Sequence, residues 1–196
     1  MSVKEIESFA RYLACLAAGL CGLAANAAEE VVVEAQRRAD AVEVRCRATV
    51  NAPLDLVWRT LTDYDRLATF IPGMRSSRIL ERHGATTIVE QSGEARFLFL
   101  SYPIEVTVAS TERAPREIHV QLLKGNLRTL EGSYRVEQLA DGRVALAWHG
   151  LIAPDAYLPP LVGEMLMRAN IGDQFLGMVR EIERREALRR NEESRQ

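Results

Sequence analysis

The feature that most constrains the fold is a succession of short alternating segments followed by one long amphipathic helix. Hydrophobic residues alternate with polar ones from Val42 to Val50, and this period of two predicts a strand with one buried face. Further strands are predicted at 75–82, 86–95, 97–110, 117–123, 128–139 and 143–152. Because short turns such as Asp141-Gly142 join these segments, neighbouring strands must be antiparallel.

Helical patterns stand at two places in this order. Pro53 opens a short helix, and a second short helix is predicted from Asp65 to Phe70. Pro159-Pro160 opens the long final helix, which has a predicted buried stripe of Leu161, Met165, Arg168, Gly172, Phe175, Val179 and Ile182. The final helix is the one element long and apolar enough to cover the sheet. The sequence therefore predicts an α+β domain over residues 41–187. In it, a curved antiparallel sheet of about seven strands wraps around the C-terminal helix and leaves a gap.

The N-terminal segment carries the pattern of an export signal. Lys4 and Arg11 precede an apolar run over 12–23, and Ala25-Asn26-Ala27 is a small-x-small triplet of the kind that signal peptidase recognises. The run is shorter than the roughly 20 residues of a membrane-spanning helix. An uncleaved anchor or a buried helix are the alternatives. We expect a signal peptide over 1–27 with cleavage after Ala27, a flexible lead-in over 28–40, a charged tail over 188–196, and a periplasmic or secreted protein.

Composition and residue spacing argue against several functional classes. The net charge of −2 gives no basic surplus of the kind that nucleic-acid binding needs. Cys46, the cysteine left after cleavage, alternates with hydrophobic residues and is expected to be buried. The histidines, His83, His119 and His149, lack metal-ligand spacing. We therefore predict no metal site, no cofactor and no catalytic residue.

Residues around the first short helix resemble a known family. The segment from Ala52 to Tyr64 is similar to the opening signature of the SRPBCC, or START-like, superfamily, and Leu67, Phe70, Ile71 and Pro72 continue it. Within that superfamily, the chain most resembles the polyketide cyclase/dehydrase and coenzyme Q-binding START-like branch, which the strand from Leu130 to Tyr134 also resembles. The resemblance implies a helix-grip fold with a deep pocket for an apolar ligand.

The candidate ligand-binding residues are aromatic, sulfur-containing or polar side chains that could face such a pocket: Trp58, Phe70, Tyr102, Tyr134, Trp148, Met165, Arg168 and Phe175. Methionines suit a wall that accepts variable apolar shapes, and tyrosine hydroxyls could orient a ligand. The alternative is that the apolar members simply fill the core. Arg168 could meet an anionic head group, or it could extend to the surface with its stem buried.

The leading hypothesis is an exported protein that carries or senses an apolar small molecule, with lipid, quinone and isoprenoid as the plausible classes. Its partner would then be a hydrophobic ligand and not nucleic acid; transient membrane contact stays open, and no protein partner is indicated. One alternative is a cyclase or aromatase that acts on a polyketide-like chain. Another is a protein-interaction module that uses the charged segment 181–196.

Overall fold

One antiparallel sheet and one long helix make up most of the domain. A computed structural model describes residues 31–97, 100–155 and 160–195 of the 196-residue chain. Its elements are β1 Val32–Arg38, β2 Ala41–Val50, α1 Leu54–Leu61, a 3₁₀ helix Tyr64–Thr69, β3 Met74–His83, β4 Thr86–Phe97, β5 Leu100–Arg113, β6 Glu117–Gly125, β7 Leu127–Gln138, β8 Val144–Pro154 and α2 Pro160–Glu193. The predicted α+β helix-grip class is confirmed.

The chain path explains how the sheet acquires two distant edges. The strand order is β1-β2-β8-β7-β6-β5-β4-β3, and every neighbouring pair is antiparallel. The two short helices carry the chain from β2 to the far edge at β3. A meander from β3 then returns to β8, which pairs with β2.

Side-chain alternation selects the face that α2 covers. Along β8, Val144, Leu146, Trp148 and Ile152 are buried, whereas His149 between them is exposed. Cys46 on β2 is fully buried, as expected. The period of two read from the sequence therefore sets which side of the sheet becomes the core.

The lead-in expected to be flexible is instead an edge strand over most of its length. β1 pairs with β2 from Val32 opposite Arg47 to Arg38 opposite Ala41. Val33 and Ala35 turn partly inward, and Val33 lies against Gly172 of α2, where an added Cβ would come within 3.2 Å of Val33 Cγ2. The sequence pattern does not predict this strand, because within β1 only Val33 and Ala35 face inward, and the strand is held by its pairing with β2. The described sheet consequently has eight strands and not about seven.

The buried face of α2 differs from the predicted stripe in its first half. Phe175, Val179 and Ile182 are buried as expected, but Met165 is 46% exposed and Arg168 is also exposed. Leu166 and Met167 are buried in their place. Three consecutive hydrophobic residues, 165–167, allow more than one helix face to turn inward, and contact with the sheet decides between them.

The C-terminal end of α2 is fixed to the short helices. The helix continues to Glu193 through the start of the expected tail, so no boundary falls at residue 188. The side chain of Glu181 is only 6% exposed and accepts hydrogen bonds from Arg184 and Arg185. Arg185 also donates to Asp63 at 2.7 Å and lies 5.4 Å from the centre of the Phe70 ring. The charged residues of this turn are therefore partly buried and paired with the body of the domain.

Residues 1–30 lie outside the described part of the chain, and with them the predicted signal peptide over 1–27. Among the helices of the described residues, none has an apolar stretch long enough to cross a membrane.

The ion pairs of Glu181 with Arg184 and Arg185 should make the free energy of unfolding depend on pH at acidic values. Hydrogen bonds from Arg184, together with Arg185, lower the pKa of Glu181 from 4.5 to about 2. A carboxylate with a lowered native pKa stabilises the fold above its unfolded pKa and loses that effect as the pH falls towards the native value. We expect Glu181→Gln to cost about 1–2 kcal/mol at pH 7, after allowance for solvent screening at the arginines. Urea unfolding should show the deficit shrinking between pH 5 and pH 2.

The matched control is Glu183→Gln, two residues away on the exposed side of the same helix. It should change stability little, with no trend over the same pH range. A Glu181→Gln deficit that stayed constant down to pH 2 would contradict the assignment of this carboxylate.

Candidate ligand-binding site

The helix spans the sheet without filling the space over its middle strands. α2 packs mainly against β1, β2, β4 and α1. Side chains from β5, β6 and β7, among them Val108, Val120 and Leu130, instead face cavities beneath the helix. The gap expected between the sheet and the helix is therefore present.

The first cavity has a volume of about 140 Å³ and lies near the 3₁₀-helix end of the domain. Apolar side chains from both the sheet and α2 form most of its wall. Its lining comprises Leu61, Tyr64, Leu67, Ile71, Met74, Gln91, Val108, Ser110, Ile118, Val120, Leu130, Tyr134, Trp148, Ile171, Gln174, Phe175 and Met178.

A second cavity of about 120 Å³ adjoins the first. It extends along α2 towards Met167 and Asn170 and along β4 towards Ala95. The two cavities share a set of wall residues: Met74, Gln91, Leu130, Ile171 and Gln174. Because these residues border both spaces, we treat the cavities as two lobes of one gap.

Trp148 forms the floor of the first lobe on β8. Its indole covers two glycines that face each other across the β7–β8 ladder, Gly132 and Gly150. A Cβ added to Gly132 would lie 2.5 Å from Trp148 Cη2, and one added to Gly150 would lie 2.7 Å from Cζ2. The Tyr134 ring packs beside the indole with a centroid separation of 4.6 Å and an angle of 46°. The glycines thus create the space that the indole occupies.

The few polar groups at the first lobe are neutral. The Tyr64 hydroxyl donates to Glu112 Oε1 at 3.0 Å, and its pKa is raised by burial and by the Glu112 charge. Burial likewise raises the pKa of Tyr134. Both phenols therefore stay protonated at neutral pH. Gln91 donates weakly to Ser77 Oγ at 3.5 Å.

At the second lobe, Glu94 is ionised and fully paired. Hydrogen bonds from Arg96 and Ser101, with Arg75 adding a third, lower the pKa of Glu94 to about 2. Next to it, the Asn170 side chain accepts from the Arg96 backbone N–H and donates to the Arg96 carbonyl, at 2.8 and 2.9 Å. These contacts fasten the end of β4 to α2 beside the second lobe.

Of the eight predicted binding residues, the structure brings Tyr134, Trp148 and Phe175 together in the wall of the first lobe. Whether they bind a ligand stays a prediction. The other five line neither lobe.

Those five residues lie in other parts of the domain. Trp58 packs half-buried against the core from α1, and Phe70 lies under Arg185. The Tyr102 hydroxyl was expected to orient a ligand, but it donates a hydrogen bond to the Asn126 carbonyl at 2.7 Å. Met165 and Arg168 face solvent because α2 turns Leu166 and Met167 inward.

Several wall residues were not identified from the sequence. Ile171 and Gln174 of α2 and Met74 of β3 face both lobes. The correct helix face would have predicted the first two, since Ile171 stands four residues from both Met167 and Phe175, and Gln174 stands seven residues after Met167. No local signal distinguishes Gly132 and Gly150, whose role depends on the position of the Trp148 ring. In the described residues, no group of three His, Cys, Asp or Glu could hold a metal ion.

An antiparallel sheet folded around a long helix, with an apolar gap between them, defines a helix-grip protein. The chain belongs to the family described as polyketide cyclase / dehydrase and lipid transport, whose model matches residues 50–171. The START-like resemblance is thereby confirmed. This is a family of hydrophobic small-molecule binders. A comparison with curated proteins finds no match to the sequence.

Solved structures similar to this chain include both enzymes and transfer proteins. The Zhui aromatase/cyclase from a Streptomyces strain is 21% identical with a TM-score of 0.64, covering 74% of this chain and 95% of its own. A STAR-related lipid transfer protein from Xanthomonas axonopodis is 12% identical with a TM-score of 0.61, covering 78% and 98%. A START superfamily protein from Mycobacterium smegmatis is 14% identical with a TM-score of 0.60, covering 74% and 97%. At these identities the similarity establishes the fold.

Substituting one of the two glycines under Trp148 tests whether the indole packs against them. Gly150→Ala should force the indole to move, because the new methyl would lie within 3.0 Å of two ring carbons. We expect a loss of about 1–3 kcal/mol in unfolding free energy, the usual scale for overpacking. Near-ultraviolet circular dichroism should change with it, since the tryptophan environment is altered.

Ser133→Ala is the control, because Ser133 lies on the opposite face of the same ladder, opposite His149. It should change neither measurement appreciably. A Gly150→Ala protein with native stability and an unchanged tryptophan spectrum would show that the indole does not rest on this glycine.

Proposed function

We propose that this protein is exported and carries or senses an apolar small molecule in the gap between the sheet and α2. The observation that carries the proposal is the pair of adjoining lobes lined mainly by aliphatic and aromatic side chains. Such a concave apolar space with a few convergent polar groups is the usual form of a small-molecule site. The lipid transfer activity named for the similar Xanthomonas protein supports the same class of ligand.

The volume of the gap limits the ligand. An apolar cavity of about 150 Å³ accepts a benzene-sized molecule. Each lobe matches that scale, so a ligand that occupies both would have a ring-sized group in each or one ring with an apolar extension. Burying about 300 Å² of apolar ligand surface gains roughly 7 kcal/mol before the cost of immobilisation. Micromolar or weaker affinity is therefore the expected scale.

The chemistry of the wall favours binding over turnover. Among the described residues that line the lobes, Glu94 is the one carboxylic acid, and histidine and cysteine do not occur. A general acid or base works best with a pKa near the working pH, whereas the pKa of Glu94 is about 2 and those of the two phenols are raised. The lobes therefore offer apolar surface with little means of moving protons.

A cyclase-type enzyme is the second candidate, because the chain shares its fold with aromatase/cyclases. The group at the wall that could act as a proton donor is the Tyr64 hydroxyl, which Glu112 holds in place. The enzyme candidate predicts that Tyr64→Phe abolishes turnover of a polyketide-like substrate while binding persists, whereas our proposal predicts no turnover in the wild type or in Tyr64→Phe. Under our proposal it should leave apolar-ligand affinity within about 2-fold, the scale expected for losing no direct contact.

The binding proposal predicts that filling the junction of the lobes blocks the ligand. Ile171 is half-buried and faces both lobes, so Ile171→Trp should occupy space shared by them. We expect affinity for the fluorescent probe N-phenyl-1-naphthylamine to fall by at least about 10-fold, because the ligand loses most of its buried apolar contact. Probe fluorescence on titration gives the affinity.

Leu188→Trp is the matched control, since Leu188 lies on the same helix and is 49% exposed. It should bind the probe as the wild type does. Native mass spectrometry of the wild type purified from its own compartment then identifies any co-purifying ligand. Failure of the wild type to bind this probe or any other apolar compound would count against a carrier or sensor.

Export is a separate part of the proposal, supported by the charged start, apolar run and small-x-small triplet of the first 27 residues. Expression of the full chain in a bacterium with an outer membrane should give a periplasmic protein that begins at Ala28. N-terminal sequencing and intact mass measure this. Changing both Ala25 and Ala27 to Asp should block cleavage, because signal peptidase requires small residues there. Retention of Met1 on wild-type protein in the cytoplasm would refute export.

A further inference from the structure

The hydroxyl of Tyr134 is an interior polar group to which the described part of the protein gives no hydrogen bond. Tyr134 lies in the middle of β7 on the inner face of the sheet, between Ile118 of β6 and Trp148 of β8. Both neighbours are buried. An unpaired hydroxyl inside a protein weakens the fold. A phenylalanine would supply the same ring at this position without that cost.

Open space lies in front of this hydroxyl. Among the described residues, the Trp148 indole nitrogen is the one side-chain nitrogen or oxygen that is both fully enclosed and unpaired. Because the Tyr134 hydroxyl is also unpaired, it is not enclosed. Tyr134 lines the first lobe, and its neighbours on the same face of β7, Gly132 and Val136, are buried. The space that the hydroxyl faces is therefore the lobe.

The ring that carries this hydroxyl is held in position by its neighbour. The Tyr134 ring packs against the Trp148 indole with a centroid separation of 4.6 Å. Burial raises the pKa of Tyr134, so the hydroxyl stays protonated at neutral pH. A protonated hydroxyl can both donate and accept a hydrogen bond. A fixed and neutral group of this kind is suited to the recognition of a ligand.

The remainder of the first lobe favours an uncharged ligand. None of the described residues that line it carries a charge at neutral pH. The Tyr64 hydroxyl is committed to Glu112, and the Gln91 amide donates weakly to Ser77. Gln174 stands apart, where the lobe borders the second one. A carboxylate buried in this lobe would lack a cation, and an unpaired buried charge is strongly unfavourable.

We propose that Tyr134 is a specificity-determining residue that hydrogen-bonds a hydroxyl or carbonyl oxygen on the part of the ligand held in the first lobe. This inference rests on the proposed binding function and narrows its ligand class. The ligand is then an uncharged ring compound that carries such an oxygen, and neither a pure hydrocarbon nor a carboxylate. Apolar contact supplies most of the affinity, and the hydroxyl discriminates between ligands of similar shape.

Three probes on one frame test this directly. Toluene, p-cresol and p-toluate share a benzene ring, the size that a cavity of about 150 Å³ accepts, and differ in one substituent. Ligand-observed NMR titration gives their dissociation constants for the wild type and for Tyr134→Phe, which removes one oxygen atom. We expect the preference for p-cresol over toluene to fall roughly 3- to 10-fold in Tyr134→Phe, because one hydrogen bond is lost. The wild type should bind p-toluate at least about 10-fold more weakly than p-cresol, because p-toluate is charged.

Tyr102→Phe is the matched control, since Tyr102 lines neither lobe and its hydroxyl donates to the Asn126 carbonyl. It should keep the wild-type preference but lower the melting temperature by about 2–4 °C, because it loses a hydrogen bond within the protein. Tyr134→Phe should keep or raise the melting temperature. A lower melting temperature with an unchanged preference would show that the Tyr134 hydroxyl serves the fold.

The outcomes separate this inference from the proposed function. Toluene binding with equal preferences in the wild type and Tyr134→Phe overturns the inference and leaves apolar binding intact. This is also the result expected if the hydroxyl holds only a water molecule. Equal affinities of the wild type for p-toluate and p-cresol overturn the restriction to uncharged ligands. If the wild type binds none of the three probes, the proposed function fails and this inference fails with it.

A measurement on unaltered protein covers the case in which Tyr134→Phe does not fold. A crystal structure of the wild type with p-cresol should place the phenol oxygen about 2.5–3.0 Å from the Tyr134 hydroxyl oxygen. A phenol oxygen directed at Gln174, or away from every polar group of the lobe, contradicts the inference.

Discussion

The packing of α2 across the concave side of the sheet is the constraint on which the rest depends. Phe175, Val179 and Ile182 bury one side of the helix against the body of the domain. The arginine clusters around Glu181 and Glu186 then fix its C-terminal end, where Arg190 also reaches the Asn51 carbonyl. The helix packs mainly against β1, β2, β4 and α1, whereas side chains of β5, β6 and β7 line the gap beneath it.

Trp148 links the architecture of the sheet to the chemistry of the gap. The two glycines opposite each other on β7 and β8 remove side chains from the floor and let the indole lie close to the backbone. The indole therefore lines the cavity without filling it, and Phe175 of α2 lines the same cavity. The same packing that makes the floor smooth also leaves the indole N–H without an acceptor from the protein.

Family membership and site chemistry bear on different questions. The family model and the structural similarities establish the helix-grip fold and a place among hydrophobic-ligand binders, and the similar structures include aromatase/cyclases as well as a lipid transfer protein. The choice between these activities depends on the wall. Its phenols are neutral and the one carboxylate among the described lining residues is held ionised by Arg96 and Ser101, which supports our proposal of binding without turnover.

The sequence by itself determined the element order from β2 onwards, the inward face of β2 and β8, and the turn at Asp141-Gly142, because these depend on local alternation and backbone preference. It also identified Tyr134, Trp148 and Phe175 as neighbours of a gap. Only the tertiary structure decided that residues 32–38 form β1, that Leu166 and Met167 replace Met165 and Arg168 on the buried face, and that Tyr102 bonds to Asn126. Those outcomes depend on partners distant in sequence. An edge strand is defined by the strand it joins, and a helix with several apolar faces is oriented by the surface that receives it.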